Sequence, residues 1–192
     1  MKKILIATRN IDKFKIVSKL LKSVFSDYDY FSLNDINKEI IDKKENGDII
    51  NRSFEKAKNV FDSLKKDYDY IIGVDDGIKI QGIIRENVKD YVQSIINDEL
   101  LDQNEIVYIA RAYTFFSKEG NNYSILTEIP FKYKKLAYKL EIKKDTYPLS
   151  HVLTPLNSNI PVSKQSEEES NEYYEIYSKE KFIETKNYFD NK

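Results

Sequence analysis

The sequence predicts an α/β protein, and three stretches carry that prediction. Lys2 to Thr8 contains the unbroken apolar run Ile4-Leu5-Ile6-Ala7, the pattern of a strand buried on both faces, and a helical spacing follows it directly. Phe54, Ala57, Phe61 and Leu64 recur every three or four residues ahead of a second apolar run, Ile71-Ile72-Gly73-Val74. From Glu105 to Phe116, Ile106-Val107-Tyr108-Ile109-Ala110 and Tyr113-Thr114-Phe115-Phe116 form a β-rich series that reads as one long strand.

At 192 residues the chain suits a single domain, 1–192, with a sizeable core. Thirty-one Lys and Arg residues face 32 Asp and Glu, so the net charge of -1 gives no general attraction to nucleic acid or an anionic membrane. Binding of phosphate must therefore be local. The absence of cysteine removes disulfides, thiolate metal sites and a cysteine nucleophile, and a Ser-His-Asp mechanism would have to use the one histidine, His151. Met1-Lys2-Lys3 precedes an apolar run too short for a signal-peptide core or a membrane span, so a soluble cytoplasmic protein is expected.

In chain order, Phe14, Val17, Leu20, Leu21 and Val24 mark a first helix with Asn10 as its N-cap, and Tyr28 to Leu33 marks a second strand. Asn34 to Asp48 shows no periodicity, and Glu45-Asn46-Gly47-Asp48 reads as a turn. An amphipathic helix over Asn51 to Lys66 carries Lys56 on its polar face. Ile71 to Ile80 reads as strand, tight acidic turn and strand, with Asp75-Asp76 at the turn between Gly73 and Gly77. Val88 to Leu101 is a third helix, with Val88, Val92, Ile95 and Ile96 on one side. Lys118-Glu119-Gly120-Asn121-Asn122 is a hairpin turn from which Tyr123 to Phe131 returns, and a further strand covers Leu136 to Ile142. All four prolines fall in the last third, which favours loops and edge strands there. The segment 164–192 is expected to be a C-terminal helix with frayed ends, with Tyr173, Ile176, Tyr177, Phe182 and Ile183 along its packed face.

Two places offer chemistry. Thr8, Asn10 and Lys13 lie where a polar loop enters a helix, so unpaired N–H groups and a positive dipole end could receive phosphate; a capped helix with an exposed lysine has the same pattern. Asp75 and Asp76 set two carboxylates between apolar runs, which fits either an Asp-Gly hairpin turn or oxygen ligands for a cation.

Taken together these stretches resemble the inosine triphosphate pyrophosphatase family. Leu5-Ile6-Ala7-Thr8-Arg9-Asn10-Ile11-Asp12-Lys13 is similar to its opening, apolar-A-T-G-N-x-x-K. Glu45-Asn46-Gly47 followed by Lys56-Ala57-Lys58 resembles its E-T-G run and K-A-R helix, and Val74-Asp75-Asp76-Gly77-Ile78 resembles its A-D-D-S-G-L segment. The ordered match covers roughly the first 80 residues.

The resemblance implies a long mixed twisted sheet with flanking helices and two lobes around a cleft. It also implies Mg²⁺-dependent hydrolysis of a nucleoside triphosphate to monophosphate and pyrophosphate, with Mn²⁺ as the alternative ion, by a protein of a kind that is usually homodimeric. Carried over by position, Thr8, Asn10, Lys13 and Lys56 would hold phosphates and Glu45 would be a metal ligand. Asp76 would deprotonate the attacking water, and Asp75 would support the metal or the base. Tyr147, in the Tyr147 to Pro155 segment set against the family's F-G-Y-D-P, would stack on the base.

The departures are Arg9 in place of the first-motif glycine, an acidic segment one residue short, and no S-H-R segment in Lys164 to Lys192. His151 is accordingly read as a loop or packing residue. A nucleotide-binding or interaction protein of weak activity on the same fold, and a plain α/β domain, are the competing readings.

Overall fold

A computed structural model describes residues 2–37, 40, 46–86, 88–97, 100–136 and 148–192. Strands β1 (Lys2–Ile6), β2 (Tyr28–Ser32), β3 (Tyr70–Ile80), β4 (Ile83–Arg85), β5 (Ile106–Ser117), β6 (Asn122–Tyr133) and β7 (Leu153–Pro155) join in a sheet of order β2-β1-β3-β5-β6-β7, with β4 paired to β3. Four α-helices accompany them: α1 (Ile11–Lys22), α2 (Ile49–Leu64), α3 (Val88–Ile96) and α4 (Glu167–Asp190). The sheet is mixed. β1 runs parallel to β2 and β3, whereas β3 with β4 and β6 with β7 are antiparallel.

The chain forms two compact units, one of residues 1–75, 111–127 and 175–192, the other of residues 76–110 and 128–174. In the first unit the chain leaves β1 for β2 on one side and returns through α2 to β3 on the other. Right-handed crossovers therefore place α1 and α2 on opposite faces of the parallel strands. The packing agrees. Ala57, Val60, Phe61 and Leu64 of α2 lie with Leu5, Ala7, Ile71 and Phe116. Phe25, just past α1, packs instead on Tyr70 and Phe115 of the other face.

Helix α2 approaches the sheet closely at one point. A Cβ on Gly73 would lie 1.9 Å from the Ser53 carbonyl oxygen and 2.7 Å from the Ala57 nitrogen. Gly73 is thus a contact glycine, which lets the helix backbone rest on the strand. The expected acidic turn is not formed. β3 runs unbroken through Asp75, Asp76 and Gly77, and the chain reverses at Gln81-Gly82, with φ of 50° and 81° and Ile80 opposite Ile83. Two successive positive φ values are those of a type I′ hairpin.

In the second unit, β7 lies at the sheet's edge with Pro155 opposite Phe131, and the Tyr173 hydroxyl donates to the Pro130 carbonyl. Lys79 is held by both Glu128 oxygens and lies 5.5 Å from the Tyr108 ring centroid. The predicted strand from Leu136 to Ile142 falls almost wholly outside the described residues, and the third helix, expected to reach Leu101, ends at Ile96.

The packed face of α4 differs from the expected one. Tyr173, Tyr174, Ser178, Phe182 and Thr185 are buried, while Ile176 and Ile183 are exposed. Its buried stripe includes the small polar residues Ser178 and Thr185, and the Thr185 hydroxyl bonds back to the Lys181 carbonyl. An apolar-only search cannot see such a stripe.

Candidate active site

Open α/β sheets bind ligands beyond the carboxyl ends of neighbouring strands where the chain reverses direction across the sheet. In the first unit that place lies between β1 and β3. Pairing of Ile6 with Ile72 sets the turn after β1 beside the Gly73 to Asp75 stretch.

The turn is built by its own side chains. Thr8 Oγ1 accepts from the Asn10 N–H at 3.2 Å, and Asn10 Oδ1 accepts from the Lys13 N–H at 2.9 Å. Asn10 is thus the N-cap of α1, with Lys13 in the first turn. The Leu33 N–H donates to the Thr8 carbonyl at 3.1 Å and Asn34 Nδ2 to the Arg9 carbonyl at 3.0 Å, so the segment after β2 braces the turn. Arg9 stands where the related pattern has glycine. Its Nη2 donates to the Ile40 carbonyl at 2.9 Å, which ties residue 40 to the same turn.

The second part of the site comes from α2 and β3. Lys56 Nζ lies 2.6 Å from Asp75 Oδ1 and 3.4 Å from the Val74 carbonyl, and Arg52 Nε lies 3.3 Å from Asp75 Oδ2. The Asp75 side chain is only 9% exposed, against 21% for Lys56 and 18% for Arg52. A carboxylate so buried requires countercharge, and here each oxygen faces a cation. Asp48 caps α2 by accepting from the Asn51 N–H at 2.8 Å, and Gly73 brings the helix near enough for the pairing.

Asp76 follows Asp75 within a continuous strand, so the two carboxylates point to opposite faces of β3. Asp76 is partly exposed. Carboxylates are the hard oxygen donors that Mg²⁺ takes, but Asp75 faces two cations, which leaves Asp76 and Glu45 of the expected ligand set. Glu45 and Tyr147 lie outside the described residues. Among the described residues, no three of His, Cys, Asp and Glu gather where one metal ion could be held. His151 ends the short helix Pro148–His151, is partly exposed, and belongs to the second unit.

Sequence reasoning did not single out Arg52. Its spacing of four from Lys56 puts both cations on one helical stripe, and that spacing was the available signal.

No protein-family model matches the chain, and no curated protein matches it in sequence. Solved structures do match in fold. A nucleoside-triphosphatase, also described as a dITP/XTP pyrophosphatase, from Mycobacterium abscessus superposes with a TM-score of 0.56 at 13% identity, over 90% of this chain and 92% of its own. The Staphylococcus aureus Ham1 protein gives 0.60 at 13% identity over 87% and 88% of the two chains. A HAM1 protein from Coxiella burnetii gives 0.61 at 12% identity over 96% of each. The resemblance read in the opening 80 residues thus extends, as a fold, across almost the whole chain: it has the α/β architecture of the dITP/XTP pyrophosphatase and Ham1 structures.

Proposed function

We propose that the protein hydrolyses a nucleoside triphosphate between the α and β phosphates, releasing the monophosphate and pyrophosphate. The observation that carries this reading is that the register of Ile6 with Ile72 sets the turn into a capped helix N-terminus, with Lys13, beside the stretch of β3 where two cations surround one buried carboxylate. Polyphosphate binding requires local positive charge on a protein whose net charge is -1.

In this reading Thr8 and Asn10 hold the turn open to a phosphate, and Lys13 supplies a point charge beside the helix dipole. Asp76 accepts a proton from water as its oxygen bonds to the α phosphorus. The bond to the bridging oxygen then breaks, and Lys56 stabilises the charge that collects on the departing pyrophosphate. Asp75 orients Lys56. Mg²⁺, or Mn²⁺ in its place, would be held by Glu45 and Asp76 and would neutralise phosphate charge when bound. Tyr147 would stack on the base, a non-standard purine. A cytoplasmic homodimer acting on free nucleotides is the setting implied, and no helix among the described residues is long and apolar enough to cross a membrane.

A nucleotide-binding protein of weak activity is the second reading. It is favoured by the opposite facing of Asp75 and Asp76, which separates two carboxylates expected to act together. Incubation with a panel of ordinary and base-modified triphosphates and Mg²⁺ decides between the two. Pyrophosphate is expected as the first product; orthophosphate in its place overturns α–β cleavage, and binding without turnover of any triphosphate establishes the second reading.

A further inference from the structure

Asp75 lies between two cations. Lys56 at 2.6 Å satisfies one oxygen, and Arg52 at 3.3 Å stands at the other, so each oxygen of the carboxylate has a cation beside it. The two are chemically unlike. Arginine is permanently charged and approaches in a fixed planar fork, whereas lysine carries a compact charge on a flexible stem that reorients readily. Both come from one stripe of α2, and the close approach at Gly73 fixes the height of that stripe above β3.

This arrangement bears on a difficulty in the proposed reaction. If Lys56 turns from Asp75 to a phosphate oxygen, a carboxylate 9% exposed would lose its nearest partner in a site that has just received more negative charge. We propose that Arg52 is a positioning residue that retains Asp75 when Lys56 moves to the substrate. Arg52 thereby releases Lys56 for polyphosphate while the buried carboxylate stays paired. The proposal rests on the reading of this site as a triphosphate site. It assigns Arg52 no contact with the substrate.

The test measures calorimetric binding of two probes, inorganic pyrophosphate and an α,β-imido triphosphate, with a thermal melt of every variant. Arg52→Gln is expected to weaken binding of both by about tenfold, as for coupled charges in one network, with the melt confirming a folded protein. Arg52→Lys is expected to recover most of the loss, because it restores the charge beside Asp75. In an Asp75→Asn background there is no carboxylate to retain, so Arg52→Gln should change binding by less than about twofold. Unchanged binding in Arg52→Gln overturns the proposal, and so does a full loss that persists with Asp75→Asn, which would mark direct contact with the ligand. If Asp75→Asn does not fold, the Arg52→Lys comparison decides: failure to recover any affinity overturns the proposal. A parent protein that binds neither probe overturns the triphosphate reading and this inference together, whereas parent binding with an indifferent Arg52→Gln overturns only the inference.

Discussion

At the scale of single residues, the adjacent aspartates have different physical situations and should respond differently to the same substitution. Asp75 is buried between Arg52 and Lys56, while Asp76, on the other face of β3, is partly exposed. Asp75→Asn removes the charge around which two cations are arranged, and a loss of about 1–2 kcal/mol in a denaturant titration is expected, less than for a fully buried pair because both cations retain some solvent. Asp76→Asn alters instead a partly exposed carboxylate on the other face of β3. Its expected effect is on turnover, a fall of at least about a hundredfold with nucleotide affinity changed by less than tenfold, since it removes a base and no phosphate contact. An active Asp76→Asn protein would remove Asp76 from the mechanism. The residue types of this site were legible in the sequence, and the N-cap role of Asn10 follows from local rules. The partnership of Asp75 with Arg52 was not, because it depends on how near α2 lies to β3.

That nearness belongs to the scale of elements. Glycine in a strand-like run signals either a turn or a close approach, and sequence alone does not separate the two. Gly73 and Gly77 suggested a turn around the aspartates; the chain instead passes straight through and reverses at Gln81-Gly82. Had a turn formed at Asp75-Asp76, the strict alternation that sends the two carboxylates to opposite faces would not hold. Gly73→Ala tests the contact, because its methyl would sit 1.9 Å from the Ser53 carbonyl oxygen, and a backbone atom cannot swing aside. We expect a loss of about 2–4 kcal/mol from overpacking, read as a lower denaturant midpoint with little change in slope. Affinity for pyrophosphate should fall with it, since lifting α2 carries Arg52 and Lys56 away from Asp75. A protein of parental stability would show that α2 can shift freely. Long strands and helices with apolar spacing, such as β5 and α2, were legible because their signal lies within one element.

At the scale of the whole molecule, the chain's organisation has no local signature. The boundaries between the two compact units fall inside β3, β5, β6 and α4, where composition does not change, so no linker marks them. Four of the fifteen tyrosines have a consequence of their own in the first unit. Tyr28, Tyr30, Tyr68 and Tyr70 all have phenol groups pushed above their ordinary value, chiefly because burial disfavours the phenolate. Tyr30 also donates to the Phe25 carbonyl at 2.8 Å, and the Tyr28 and Tyr70 rings lie 5.7 Å apart beside Phe25. In the unfolded chain these groups release their protons near pH 10, while in the folded chain they hold them to higher pH. Above that pH the folded state therefore binds more protons than the unfolded one, and stability falls as pH rises. The contribution is fully present below about pH 10 and is lost progressively as pH climbs toward the folded values. Thermal melts taken in steps from pH 8 to 11.5 should show a plateau followed by a decline beginning near pH 10. Tyr70→Phe keeps the ring and removes one titrating group, so its melting temperature should fall less steeply over the alkaline range than the parent's. Parallel declines in the two proteins would show that Tyr70 is not a source of the alkaline instability.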